Sequence, residues 1–299
     1  MPEKNTIDKQ QMRRSFEKAA AGYDDAAFLQ QEIGDRVVER LDYIRFEPRR
    51  VLDVGAGTGF CTRRLAKRYP KADIIALDIA HQMLLTAKQR ESMWDKLRGR
   101  YQYITADAEQ LPLADAGVDM IFSNLAVQWC LDLEQLFREF RRVLAPGGML
   151  MFTTFGPDTL KELRASWAQV DKAGHVNEFE DMHNIGDLLL QTRFAEPIMD
   201  MEYMTVTYQD VFRLMKDLKM LGAHNVTTDR QRQLTGKAHL QKMIQHYESF
   251  RTDGVLPATY EIVYGHAWAP VGQMTTTAEQ SLQASIPLQS IQPIKPKQN

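Results

Sequence analysis

Apolar positions along the chain switch between two spacings. Between residues 51 and 155, short unbroken runs of Val, Ile, Leu and Met alternate with stretches in which apolar residues recur every three or four positions. An unbroken run fits a strand buried on both faces, and the 3.6 spacing fits a helix. Together they predict a parallel sheet with right-handed crossovers. The pattern predicts a strand turning into a helix over 51–60, further strands at 72–78, 101–107, 118–129 and 149–155, and helices at 80–88 and 133–143. Pro146, Gly147 and Gly148 predict a turn closing the second of these helices. Ahead of this core, residues 6–45 carry two helical patterns divided at 19–24. Behind it, strands are predicted at 198–208 and 260–268, with helices at 208–221 and 235–250 between them, an insertion with room to cover a cleft. After Pro270 the composition turns to Thr, Gln, Ser and Pro with few aromatics, which predicts a disordered tail. The domains expected are an N-terminal helical lid at 1–45, an α/β domain at 46–270 with an insertion at about 208–250, and the tail at 271–299.

Composition narrows the function classes. With 299 residues, 44% hydrophobic and 25% charged, the chain has enough material for one sizeable α/β domain plus an insertion. A net charge of −2 argues against a general nucleic-acid binder. No apolar run is long enough to span a membrane and no secretory leader is evident. Two cysteines, Cys61 and Cys130, suit a reducing cytoplasm, and the histidines lack metal-ligand spacing, so no metal is expected.

The chemistry concentrates at the first strand. In Val51 to Phe60 the order V-L-D-V-G-A-G-T-G-F places Asp53 ahead of Gly55, Gly57 and Gly59. Alternate glycines let the backbone approach a ligand, and the following helix offers unpaired N–H groups. A dinucleotide fold reads G-x-G-x-x-G. Here the third glycine comes one residue early, and the segment resembles motif I of the class I S-adenosylmethionine-dependent methyltransferases. Asp78, at the end of the second predicted strand, can accept hydrogen bonds from both hydroxyls of an adenosine ribose, or cap the helix at 80–88. The resemblance implies that Asp107 accepts from the adenine amino group and that the backbone N–H of Ala108 reaches a ring nitrogen. It implies further that Ile79, Asn124 and Leu125 border the cofactor. The fold implied is Rossmann-like, a seven-stranded, mostly parallel sheet with helices on both faces, closed by an antiparallel pair.

Narrower segments point to one branch of that superfamily. The run Ser15 to Asp24 (SFEKAAAGYD), the run Ser123 to Cys130 (SNLAVQWC), Phe152 to Phe155 (FTTF), the inserted Leu218 to Asn225 (LKMLGAHN) and Tyr260 to His266 (YEIVYGH) resemble the BioC family, the malonyl-[acyl-carrier protein] O-methyltransferases of biotin synthesis. The resemblance spans about residues 10–270. It implies methylation of the free carboxyl of a malonyl thioester, giving a methyl ester that serves as a primer. An acceptor that is already an anion at neutral pH needs no general base. A cation should hold its other oxygen. Candidates are Arg213, Lys216 and Lys219, with Tyr23 donating from the lid. The three basic residues also fit a solvated helix face. Where the family often carries an arginine, this chain has Lys216. An acidic carrier protein is implied as partner, and two basic runs could meet it: Arg63, Arg64, Lys67, Arg68 and Lys71, and Arg138, Arg141 and Arg142. A different small-molecule acceptor, such as a quinone precursor, remains open on the cofactor motifs alone.

Overall fold

A computed structural model describes residues 8–171, 174–221 and 236–271. The Gly222 to Asn225 part of the inserted signature and the expected tail from 272 on lie outside the described residues. Strands β1 (Arg50–Val54), β2 (Asp73–Asp78), β3 (Tyr101–Thr105), β4 (Val118–Asn124), β5 (Leu144–Phe155), β6 (Ala195–Tyr208) and β7 (Leu256–Trp268) form one sheet in the order β3-β2-β1-β4-β5-β7-β6. All neighbours are parallel except β7, which runs antiparallel to both β5 and β6. The order turns back between β1 and β4, and the crevice at that switch is where ligands settle in open α/β sheets. This is the expected class I methyltransferase architecture.

Helices α1 (Lys9–Ala19), α2 (Tyr23–Ala26), α3 (Phe28–Arg40), α4 (Phe60–Arg68), α5 (His81–Gln89), α6 (Met93–Arg98), α7 (Leu133–Val143), α8 (Lys161–Ala168), α9 (Met182–Gln191), α10 (Val211–Met220) and α11 (Lys237–Glu248) complete the described chain. One face of the sheet packs α3, α4, α8 and α11 through Ile33, Val37, Leu65, Leu163 and Met243. The other packs α7 and α9 through Leu136, Phe137, Phe140, Ile185 and Leu189. Helix α7 shows why the local sequence folds as it does. Asp132 caps it by accepting from the Gln135 N–H at 2.9 Å, and Leu136, Phe137, Phe140 and Val143 put one apolar stripe on the sheet.

Several expected boundaries shift. The strand expected at 118–129 ends at Asn124, because Leu125 takes a left-handed φ of 51° and the chain turns through a short 3₁₀ segment, Val127–Trp129. Residues 146–148 do not form a separate turn but belong to the start of β5, where the Gly147 N–H donates to the Ala269 carbonyl at 2.8 Å. The expected lid boundary at residue 45 runs through the core. Ile33 and Val37 of the third helical segment, and Leu41 just after it, are fully buried with the α4 and sheet residues. Among the described residues, Lys9, Met12 and Phe16 of α1 and Tyr23 of α2 line the cleft at the strand ends.

Candidate active site

The glycine turn is shaped by contacts on both sides. The Gly55 and Ala56 N–H groups donate to the Leu77 carbonyl at 2.8 and 3.0 Å, which draws the turn onto β2. Gly55 has φ 71°, and a Cβ there would fall 2.2 Å from the Ala126 Cβ, so this position takes no side chain. Gly57 also has positive φ, with nothing within 4 Å of its Cβ position, and its backbone faces open space. Gly59 is different: its neighbour is Ala87 of α5, so it serves the packing of α4 on α5 and does not border the cleft.

A cleft of about 800 Å³, counting space open to solvent, runs over the ends of β1, β2 and β4. It brings together Gly55, Gly57, Asp78, Ile79, Asp107, Ala108, Asn124 and Leu125, eight of the ten residues assigned to the cofactor from sequence. Asp78 accepts from the Gly57 N–H at 2.9 Å through Oδ2 and from the Ala80 N–H at 2.8 Å through Oδ1. The α5 N-cap is Ala80, so Asp78 ties the glycine turn to the start of α5 without capping it. Burial pushes its carboxyl up to about 6, even though the Ala80, Gly57 and Ile79 backbone donors pull the other way. Asn124 is clamped from two directions. Its Nδ2 donates to the Gln30 carbonyl at 2.9 Å, and its Oδ1 accepts from Thr153 Oγ1 at 2.8 Å.

Asp53 lies behind the turn in a smaller adjoining pocket that shares Tyr23, Gly55, Gly57 and Asn124 with the cleft. It accepts from Thr62 Oγ1 at 2.6 Å. Burial pushes Asp53 up to about 7, with the Thr62 hydrogen bond opposing and the Asp78 charge adding. The folded chain thus holds this proton more tightly than a free aspartate does. Stability from that source is full below about pH 4 and is lost as pH rises through about 7, by up to a few kcal/mol at about 1.4 kcal/mol per pKa unit. Asp53→Asn keeps an acceptor for Thr62 and removes the charge. It is expected to melt above the wild type at pH 8 and level with it at pH 4, and equal melting at both pH values would show that the buried charge costs nothing.

The N-terminal helices close the cleft from above. Lys9 of α1 reaches Asp107 Oδ2 at 2.6 Å and Glu109 Oε2 at 2.9 Å, so the residue expected to accept from the adenine also holds a cation. Burial pulls the Lys9 ammonium down, and the bonds to Asp107 and Glu109 outweigh it, leaving its pKa raised. Phe16 meets Trp129 edge-on, with ring centroids 5.3 Å apart. Tyr23 packs with Phe16, Ala20, Ala80 and Met83. Its neighbour Asp24 accepts from Thr58 Oγ1 at 2.6 Å and pairs with Arg90, which pins α2 to the glycine turn. Burial, then the Asp78 and Asp24 charges, push the Tyr23 phenol up, so it stays a hydrogen-bond donor at neutral pH.

A second, larger cavity of about 2960 Å³, counting open space, adjoins the first at Trp129, which lines both. Phe155, Trp167, Tyr208 and Tyr260 give it aromatic walls. Lys216 and Lys219 stand on its edge, as do Arg14 and Lys18 of α1. Arg213 is not among its lining residues. It is exposed and turned to Asp210, with Nε 3.6 Å from Oδ2, so the solvated-face alternative describes it best. Sequence reasoning missed Lys9, Arg14 and Lys18. No motif marks them, and only the three-dimensional path of α1 brings them to the cavities. Trp129 falls inside the Ser123 to Cys130 run, yet nothing in the sequence tells which cavities it joins.

Comparison with known proteins agrees with this arrangement. The methyltransferase domain family matches residues 52–152. The YcgJ protein of Bacillus subtilis superposes with a TM-score of 0.56 over 80% of this chain and 100% of its own, at 15% identity. A putative methyltransferase of Bacillus halodurans gives 0.54 over 78% and 97%, at 16% identity. These establish the fold. Among curated proteins, the malonyl-[acyl-carrier protein] O-methyltransferase of Gallionella capsiferriformans is 55% identical over 88% of this chain and 92% of its own length. That of Nitrosospira multiformis is 53% identical over 88% and 90%. With identity this high over most of both chains, the chain belongs to the malonyl-[acyl-carrier protein] O-methyltransferase family.

Proposed function

We propose that the protein methylates the free carboxyl of a malonyl thioester carried on acyl carrier protein, with S-adenosyl-L-methionine as methyl donor, to make the methyl ester primer used in biotin synthesis. The observation that carries this reading is the meeting, at Trp129, of a cofactor-sized cleft and a larger cavity edged with cations. The cleft suits the donor on its own chemistry. Two buried carboxyls, Asp53 and Asp78, are held protonated more readily than free acids, and a ligand with a sulfonium and an ammonium repays their ionisation. Asp78 would hold the ribose, Asp107 and Ala108 the adenine, and the Gly55–Gly57 backbone the amino-acid end. S-adenosyl-L-methionine bound there supplies an electrophilic methyl group.

The chain's own residues then have three tasks. They hold a malonyl oxygen in line with the methyl, they keep water out, and they compensate the second oxygen. Orientation of this kind is worth up to roughly 7–11 kcal/mol in favourable systems. The reaction joins an anion to a cation and leaves two neutral products, so a dry site favours it. Helices α1 and α2 act as the lid, Tyr23 donates to the acceptor carboxylate, and Lys216 and Lys219 hold negative charge at the cavity edge. The ester hides the malonyl charge, which lets chain-extending enzymes accept the product. Among the described residues no helix is long and apolar enough to cross a membrane. With both cysteines unpaired, the cytoplasm is the compartment proposed.

Incubation with methyl-labelled donor and either malonyl or acetyl carrier protein tests the reading. One methyl should be gained on malonyl carrier and none on acetyl carrier, which has no free carboxylate. Equal labelling of the two, or none of the malonyl form, rejects it.

A further inference from the structure

Half of the two basic runs singled out in the sequence is spent on internal pairs. Arg64 pairs with Asp35 and Arg68 with Asp42, while Arg138 pairs with Glu134 and Arg142 with both Glu139 and Asp115. A guanidinium facing its own carboxylate projects little field across a Debye length of solvent.

A different set of cations is unspent. Arg14 and Lys18 sit one turn apart on the outer face of α1, and Lys216 and Lys219 occupy successive turns of α10. All four are exposed, all four line the mouth of the larger cavity, and none makes an ion pair among the described residues. Phe28, 67% exposed at the start of α3, stands on the same rim. An exposed phenyl ring sharing a rim with an arginine is a pairing enriched in protein-binding surfaces. The net charge of the whole chain is −2, so these four unpaired cations at one mouth stand out locally against a near-neutral total.

We propose that the rim formed by Arg14, Lys18, Phe28 and the α10 lysines is the docking surface for the acidic carrier protein that presents the malonyl thioester. This rests on the carboxyl-methylation reading. The carrier's acidic surface lies against the cations, and its acyl arm enters between α1 and α10 and runs toward Trp129, where the larger cavity meets the cofactor cleft. Charge placed there steers encounter and fixes the carrier over the opening, whereas a thioester without protein has no surface to be steered.

The test compares two acceptors in the full-length protein: malonyl carrier protein and malonyl-pantetheine. Arg14→Glu with Lys18→Glu is expected to lower kcat/KM for the carrier at least tenfold and leave that for malonyl-pantetheine within twofold. The salt dependence of the carrier reaction should flatten as well. The milder Arg14→Gln with Lys18→Gln should show the same selective loss at smaller size. Arg138→Glu, in a pair remote from the rim, should change neither rate. An equal loss on both acceptors in both double variants, or no loss on either, overturns the assignment. A wild-type protein inactive on both malonyl acceptors would overturn the reaction reading and the docking surface with it, a pattern distinct from an active enzyme indifferent to the charge reversal.

Discussion

Asp78→Ala is expected to weaken S-adenosylmethionine binding by about 1.5–3 kcal/mol, roughly tenfold to 150-fold, the range for hydrogen bonds to a charged group. The carboxylate already accepts from the Gly57 and Ala80 N–H groups. The carboxylate's roughly four lone-pair sites outnumber its backbone donors, so room remains for the ribose. Because the alanine variant also frees two backbone donors, Asp78→Asn is the companion. It keeps one acceptor for the turn and should fall between wild type and alanine. With the carboxyl pushed up to about 6, wild-type affinity should also decline as pH falls through that value, since only the ionised form accepts on both oxygens. Calorimetry is the measurement, and a folded alanine variant with unchanged affinity would end the assignment.

Tyr23→Phe is expected to lower methyl transfer about tenfold or more with cofactor affinity near wild type. The ring stays packed on Phe16, Ala80 and Met83, and Asp24 continues to pin α2 to Thr58 and Arg90. Only the hydroxyl is lost, and one hydrogen bond to an anion in a dry site is worth roughly 1.5–3 kcal/mol. Full kcat/KM in the variant would make Tyr23 a packing residue. A parallel loss of cofactor binding would assign the hydroxyl to the cofactor, a result its position in the cleft makes worth measuring.

The centre of the sheet was legible because β1, β2, β4 and β5 carry near-continuous apolar runs, and the cofactor cleft because a strand end, a glycine turn and an acid recur at fixed offsets. What stayed hidden was hidden for physical reasons. Helix α8 follows Leu160 in a left-handed conformation and buries Glu162, which accepts from the Thr259 N–H at 3.0 Å. A charged residue in the core blurs the apolar period. Helix α9 buries only Ile185 and Leu189, too sparse a stripe to read. Helix α6 misleads in the opposite sense, for its Met93, Trp94 and Leu97 are all exposed. The basic runs were visible, but the acids that neutralise Arg64 and Arg68 lie far away in sequence, at Asp35 and Asp42. The Lys9 contact with Asp107 likewise joins residues that no local pattern connects.

That contact makes α1 a shared part of two binding sites. One end of the helix holds Asp107 in the cleft through Lys9, and the outer face further along carries Arg14 and Lys18 at the mouth of the larger cavity, the sites proposed for donor and acceptor. Fixing the helix for one ligand removes part of the ordering cost for the other, so the two ligands should be heterotropically coupled. Reciprocity then requires that the demethylated donor tighten carrier binding by the same factor as the carrier tightens binding of the demethylated donor. Titrations in both orders measure this, and affinities independent of the other ligand would mean that α1 meets each partner as a rigid strut.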